Sequence, residues 1–109
     1  MKIVIIDDEE NCRLVLRNKI EKYDPNIEIL GEGYGVDSGI ELIQTTKPEV
    51  VFLDIQMNDG TGFDLLNRMK KRDFLLVFTT AFDQYAIKAF KYAAIHYLLK
   101  PVDFNELSE

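Results

Sequence analysis

The chain has 109 residues, 47% apolar and 29% charged, with one cysteine and a formal net charge of −6. That is enough for one hydrophobic core, with no signature of disorder and no apolar run near the roughly 20 residues of a membrane helix. The single Cys12 excludes a disulfide framework or a cysteine zinc site and points to a reducing cytoplasm, while the acidic balance argues against direct binding of nucleic acid.

Apolar runs and amphipathic stretches alternate along the chain. Residues 3–6 form a β-branched run that stops at Asp7-Asp8, which predicts a buried parallel strand. Cys12, Val15, Leu16, Ile20 and Tyr23 then recur at helical spacing until Asp24-Pro25-Asn26 ends the helix, with Cys12 expected as core filling. Residues 27–30 read as a second strand. Val36, Ile40 and Ile43 mark a helix that stops near Lys47-Pro48, because the residue before proline avoids helical geometry.

The most apolar strand, 50–53, runs into Asp54, with Gly60 and Gly62 in the loop beyond. Phe63, Leu66 and Met69 predict the inward face of a third helix, with Lys70, Lys71 and Arg72 near its end. Residues 75–78 form a fourth strand ending at Thr79-Thr80, Ala86, Ile87 and Phe90 a fourth helix, and 95–99 a fifth strand, with His96 on its surface edge. Asp103 and Glu106 are spaced as a capping box for a fifth helix that has barely begun at Glu109. Strands alternating with helices predict an α/β fold, three layers around a doubly wound five-stranded parallel sheet.

In such sheets ligands bind outside the carboxyl ends of the strands. Those ends carry Asp7, Asp8, Asp54, Thr80 and Lys100. Three converging carboxylates repel one another, and a hard cation such as Mg²⁺, together with Lys100, is the physical remedy. Taken singly, Asp7-Asp8 could instead be a solvated pair or a helix cap, and Thr80 a turn cap.

Together these residues resemble the receiver domains of bacterial two-component response regulators. The resemblance rests on Asp7-Asp8, Phe52-Leu53-Asp54-Ile55-Gln56-Met57, Gly62 eight residues after Asp54, Thr80-Ala81, and Tyr97-Leu98-Leu99-Lys100-Pro101. Two stretches, Ala81-Phe82-Asp83-Gln84-Tyr85-Ala86 and Tyr97-Leu98-Leu99-Lys100-Pro101, are similar to regulators whose output is a LytTR-type DNA-binding domain. The resemblance implies a flavodoxin-like strand order 2-1-3-4-5 over residues 1–109, with the last helix incomplete and the output domain absent. It also implies a set of roles. Asp54 takes a phosphoryl group from a sensor histidine kinase. Asp8 and Asp54 hold Mg²⁺ directly, Asp7 through water, and Gln56 through its backbone carbonyl. Lys100 and Thr80 meet phosphoryl oxygens, and Tyr97 then turns, altering the face made by the fourth helix, fifth strand and fifth helix. Pro101 follows a cis bond that aims Lys100, and Phe82 with Gln56 gates water. Homodimerisation on phosphorylation, no membrane contact, and DNA contact only through the output domain are the expected associations.

The sequence departs from the family at Asn58, where a proline is usual, and a less stiff loop is expected there. A phosphohydrolase with an aspartyl nucleophile is the enzymatic alternative. It would need a second acid two residues after the nucleophile, where Gln56 cannot titrate. A degenerate receiver serving only as an interaction module is the other alternative.

Overall fold

The computed structural model describes residues 1–69 and 72–102. Its elements in order are β1 (Lys2–Ile6), α1 (Glu10–Tyr23), β2 (Glu28–Gly33), α2 (Val36–Thr46), β3 (Val50–Asp54), β4 (Gln56–Met57), β5 (Gly60–Thr61), α3 (Gly62–Arg68), β6 (Leu75–Thr80), α4 (Ala86–Phe90) and β7 (His96–Leu99). Five strands form one parallel sheet in the order β2-β1-β3-β6-β7, which is the expected 2-1-3-4-5 once the two short strands are set aside. The proposed fifth helix, with Asp103 and Glu106, and Lys70 and Lys71 lie outside the described residues.

Alternation along each strand feeds two cores. Val4, Ile6, Val51, Leu53, Leu76 and Phe78 face one side, where Val36, Ile43, Phe63 and Leu65 from α2 and α3 cover them. Ile3, Ile5, Val50, Phe52 and Val77 face the other side and meet Leu16 and Ile20 of α1. Every residue of β3 is buried. At roughly 1.5–3 kcal/mol for each large apolar side chain taken from water, this central strand fixes its own end, Asp54, more firmly than any edge strand could.

The helix readings needed three corrections. Ile87 and Phe90 of α4 are each 80% exposed, and Ala89 is the residue this helix buries. Val15 and Tyr23 on α1 are exposed, so the inward face of α1 narrows to Leu16 and Ile20, and Cys12 is only half-buried. Finally, α3 ends at Arg68, so its last turn carries Arg68, and Arg72 lies beyond the helix.

The loop after Asp54, in which Asn58 stands, carries secondary structure of its own. Gln56 pairs with Thr61 and Met57 with Gly60 in a small antiparallel hairpin turned at Asn58-Asp59. Gly60 has φ +144, a conformation that side-chain-bearing residues rarely adopt. The hairpin is tied down at its tip, where the Asp59 carboxylate accepts hydrogen bonds from the backbone N–H groups of Val36 (2.7 Å) and Asp37 (3.3 Å). These bonds hold its carboxyl below the usual aspartate value and satisfy the free donors at the start of α2, for which Gly35 has no side chain. At the other end of the hairpin, Thr61 and Asp64 form a reciprocal capping box that starts α3.

Candidate functional site

The site is assembled where β1, β3, β6 and β7 end. Parallel pairing sets Ile6 beside Leu53 and Asp54 beside Thr79, so the residues just past those positions share one edge. Asp7 and Asp54 are buried at 3% and 4% exposure, Thr80 is fully enclosed, and Asp8 and Lys100 are partly exposed. One carboxylate oxygen from each of Asp7, Asp8 and Asp54 lies within 4.8 Å of the others.

Lys100 bridges the two buried acids. Its Nζ is 2.7 Å from Asp7 Oδ2 and 3.3 Å from Asp54 Oδ2. Its backbone N–H donates to the Thr80 carbonyl at 2.9 Å, extending the β6–β7 pairing, and the Lys100–Pro101 peptide is cis, as the resemblance implied. Burial pushes the Asp54 carboxyl up to about 6, and the charge of Asp7 adds to this. Lys100 and the Ile55 N–H, which donates to Asp54 Oδ1 at 2.8 Å, pull the other way. Burial works against the charge on Lys100, but its hydrogen bond to Asp7 and the charges of Asp54 and Asp7 outweigh it and hold the ammonium above its usual value.

Thr80, Phe82 and Tyr97 form a second cluster. Thr80 Oγ1 accepts from the Phe82 N–H at 3.3 Å, and the Tyr97 hydroxyl donates to the Phe82 carbonyl. The Tyr97 ring lies 6.3 Å from that of Phe78, so its packing and its link to the Thr80 loop coexist. Phe82 is 40% exposed and meets Tyr85 edge-on at 6.3 Å. Gln56 is exposed, and its amide donates to the Tyr85 hydroxyl at 2.5 Å. Pro101 lines a cavity of about 350 Å³ beside the acids, together with Asn11, Cys12, Val15 and Val102. All nine sequence-identified residues therefore lie at this end of the sheet or on the loops bordering it.

Sequence reasoning missed two participants. Tyr85 is quoted in a family-like stretch without a role, and it closes the Gln56 side of the site. Arg13 donates from Nη1 to the Asp7 backbone carbonyl at 2.7 Å, a contact with no motif to announce it.

Comparison with known proteins places the chain in a family. The family model described as the response regulator receiver domain matches residues 3–109. The "Sensory transduction protein LytT" of Bacillus anthracis is 41% identical over 94% of this chain and 42% of its own length. The "Transcriptional regulatory protein BtsR" of Escherichia coli K12 is 42% identical over all of this chain and 46% of its own. The chain thus spans less than half the length of these relatives. Among solved structures, the response regulatory domain of mrkE from Klebsiella pneumoniae superposes with a TM-score of 0.86 at 28% identity, covering 98% of this chain and 88% of that one. The response regulator TrrA of Thermotoga maritima, solved in complex with Mg(2+)-BeF, gives 0.83 at 27% identity, covering 98% and 92%. No described helix is long and apolar enough to cross a membrane. The fold, the relatives and the structural neighbours agree, and the chain belongs to the receiver domains of two-component response regulators, signalling switches among whose members LytT and BtsR are similar to it in sequence.

Proposed function

We propose that Asp54 is the phosphoacceptor of this receiver and that the phosphohistidine of a sensor kinase is its donor. The observation that carries the reading is Lys100 lying between two buried carboxylates, with a third close by. Asp54 is singled out because it ends the fully buried strand and borders the Thr80 strand. An Asp54 carboxylate oxygen attacks phosphorus as the P–N bond breaks. The electron pair stays on the imidazole nitrogen, which takes a proton, and an acyl phosphate remains on Asp54. Lys100 then balances one phosphoryl oxygen as a point charge, and Thr80 donates its hydroxyl to another. Tyr97, already bonded to the Thr80 loop, carries that change to the α4–β7 face.

Mg²⁺ fits the residues present. Three carboxylates face one ammonium, which leaves negative charge uncompensated, and all the donors are hard oxygens. Asp8 and Asp54 would hold the ion directly, Asp7 through water, and the Gln56 carbonyl would complete the set. When bound, the ion supplies positive charge to the acids and the phosphoryl oxygens. The Mg(2+)-BeF complex of the Thermotoga maritima relative supports this choice.

The whole protein, on this reading, is a cytoplasmic transcriptional regulator. Its DNA-binding output, of LytTR type, lies beyond the 1–109 receiver, and phosphorylation promotes pairing of two copies. The names of its relatives support a regulatory output.

The test is incubation with a small phosphodonor and Mg²⁺ at pH 7.5, where the Asp54 carboxyl is ionised. A mass gain of ~80 Da, one phosphoryl group, is expected in the wild type and absent in Asp54→Asn. Rapid turnover of donor would indicate a hydrolase, and no gain would indicate a degenerate interaction module.

Phe82 and Gln56 flank the approach of water to the acyl phosphate, so self-dephosphorylation is slow on this reading. Phe82→Ala is expected to speed loss of phosphate from Asp54 by about tenfold, the usual scale of a change of about 1.4 kcal/mol in barrier. Mass spectrometry over time reads it, and an unchanged rate removes Phe82 from this role.

A further inference from the structure

Asp7 has every polar atom occupied. Its N–H donates to the Gly33 carbonyl at 3.0 Å, Oδ1 accepts from the Glu9 N–H at 2.9 Å, and Oδ2 meets Lys100 at 2.7 Å. Its carbonyl oxygen accepts from Arg13 Nη1 at 2.7 Å. Asp8 differs: among the described residues its side chain makes no hydrogen bond or ion pair. The aim of the Asp8 carboxylate is therefore set by its backbone, and the peptide joining it to Asp7 is the one whose oxygen Arg13 holds.

Arg13 is itself held. Its Nε lies 3.1 Å from Glu32 Oε1, and its side chain is largely buried. Glu32 stands on β2 opposite Ile5 of β1, and its other oxygen is taken by Arg17 through Nε (2.8 Å) and Nη2 (2.7 Å). A tether thus runs from the sheet through Glu32 and the Arg13 guanidinium to the Asp7–Asp8 peptide. A planar guanidinium can serve both ends at once, whereas an ammonium is a single point.

We propose that Arg13, anchored by Glu32, is a positioning residue that orients the Asp7-Asp8 carboxylates and thereby sets the affinity of the site for Mg²⁺. The inference rests on the metal reading above. Groups that orient ligands without touching the metal typically change affinity 10- to 100-fold when removed. Arg13 does not reach Asp54, so it governs how tightly the ion is held and not how fast a loaded site reacts.

The test is calorimetric titration of the chain with MgCl₂, paired with the Mg²⁺ dependence of Asp54 labelling by a small phosphodonor. Arg13→Ala is expected to raise the Mg²⁺ Kd ~10-fold, the low end of that range. Its labelling rate at saturating Mg²⁺ should stay within about twofold of wild type, the signature of lost binding without lost chemistry. Arg17→Ala removes the other arginine on Glu32 without touching Asp7 and should leave the Kd unchanged. Arg13→Lys should fall between alanine and wild type. An unchanged Kd in Arg13→Ala, or equal weakening in Arg17→Ala, overturns the proposal. If Arg13→Ala does not fold, Glu32→Ala carries the test with an expected weakening of about threefold, and an unchanged Kd there overturns it equally. A wild-type chain that binds no Mg²⁺ at millimolar concentration instead overturns the metal reading itself, and this inference with it.

Discussion

Lys100→Met is expected to destabilise the domain by about 2–3 kcal/mol at pH 8, read from urea unfolding without Mg²⁺. Among the described residues, Lys100 is the one cation within ion-pair distance of Asp7 and Asp54. Its loss leaves two buried like charges facing each other, a repulsion of roughly 3–4 kcal/mol at an effective dielectric near 20, eased by partial solvation. Protonation offers an escape. The folded-state value of Asp54 is already about 6, above that of an unfolded aspartate, and it rises further without the ammonium. A carboxyl raised on folding favours the folded state below its unfolded value and loses that contribution as pH climbs through the folded one. The wild type should therefore lose some stability from this group between about pH 4 and pH 6, and the variant should continue to lose it at higher pH. The deficit at pH 5 should be less than half that at pH 8, and millimolar Mg²⁺ should narrow it at pH 8. A deficit independent of pH would sink the account of the site as a charge-balanced cluster.

Gly62→Ala is expected to cost about 2–4 kcal/mol, lowering Tm by roughly 10–20 °C. A Cβ at this position would lie 2.5 Å from the Asp54 carbonyl oxygen and 3.0–3.2 Å from the Leu53 side chain. The backbone cannot back away easily, because the Gly62 N–H donates to the Ile55 carbonyl at 2.7 Å. Gly31→Ala is the matched control. Its Cβ would come within 2.8 Å of the tip of the Leu42 side chain, which can rotate aside, so a loss under about 1 kcal/mol is expected. Equal losses at the two positions would mean that the approach of α3 to the Asp54 peptide is not what restricts residue 62.

What was legible in the sequence follows from the physics of a buried parallel sheet. Asp7-Asp8, Asp54 and Lys100 stand where apolar runs stop, so strand ends and site residues could be read together. The α4 face was not legible, because Ile87 and Phe90 have helical spacing whichever side they present, and the small Ala89 gives no signal. The hairpin of Gln56-Met57 and Gly60-Thr61 is too short for any period to show. Asp59 capping a helix 22 and 23 residues upstream, and Arg13 meeting Glu32 19 residues downstream, are tertiary facts. A single sequence does not encode such pairings in any local pattern. This is why the hairpin after Asp54 and its tie to α2 were not expected.

Phe82 is held through both of its backbone groups, its N–H by Thr80 and its carbonyl by Tyr97. A hydroxyl that turns toward a phosphoryl oxygen can rotate away from that N–H, so what happens at Thr80 is felt at the same residue that Tyr97 grips. Free energy exchanged through such a link is symmetrical. If Asp54 is the phosphoacceptor proposed above, whatever docks on the α4–β7 face and favours one setting of Tyr97 must change the ease of phosphorylating it by the amount that phosphorylation changes the docking. On that proposed reading the α4–β7 face also acts as an input, and a partner bound there helps set the phosphorylation potential of the site.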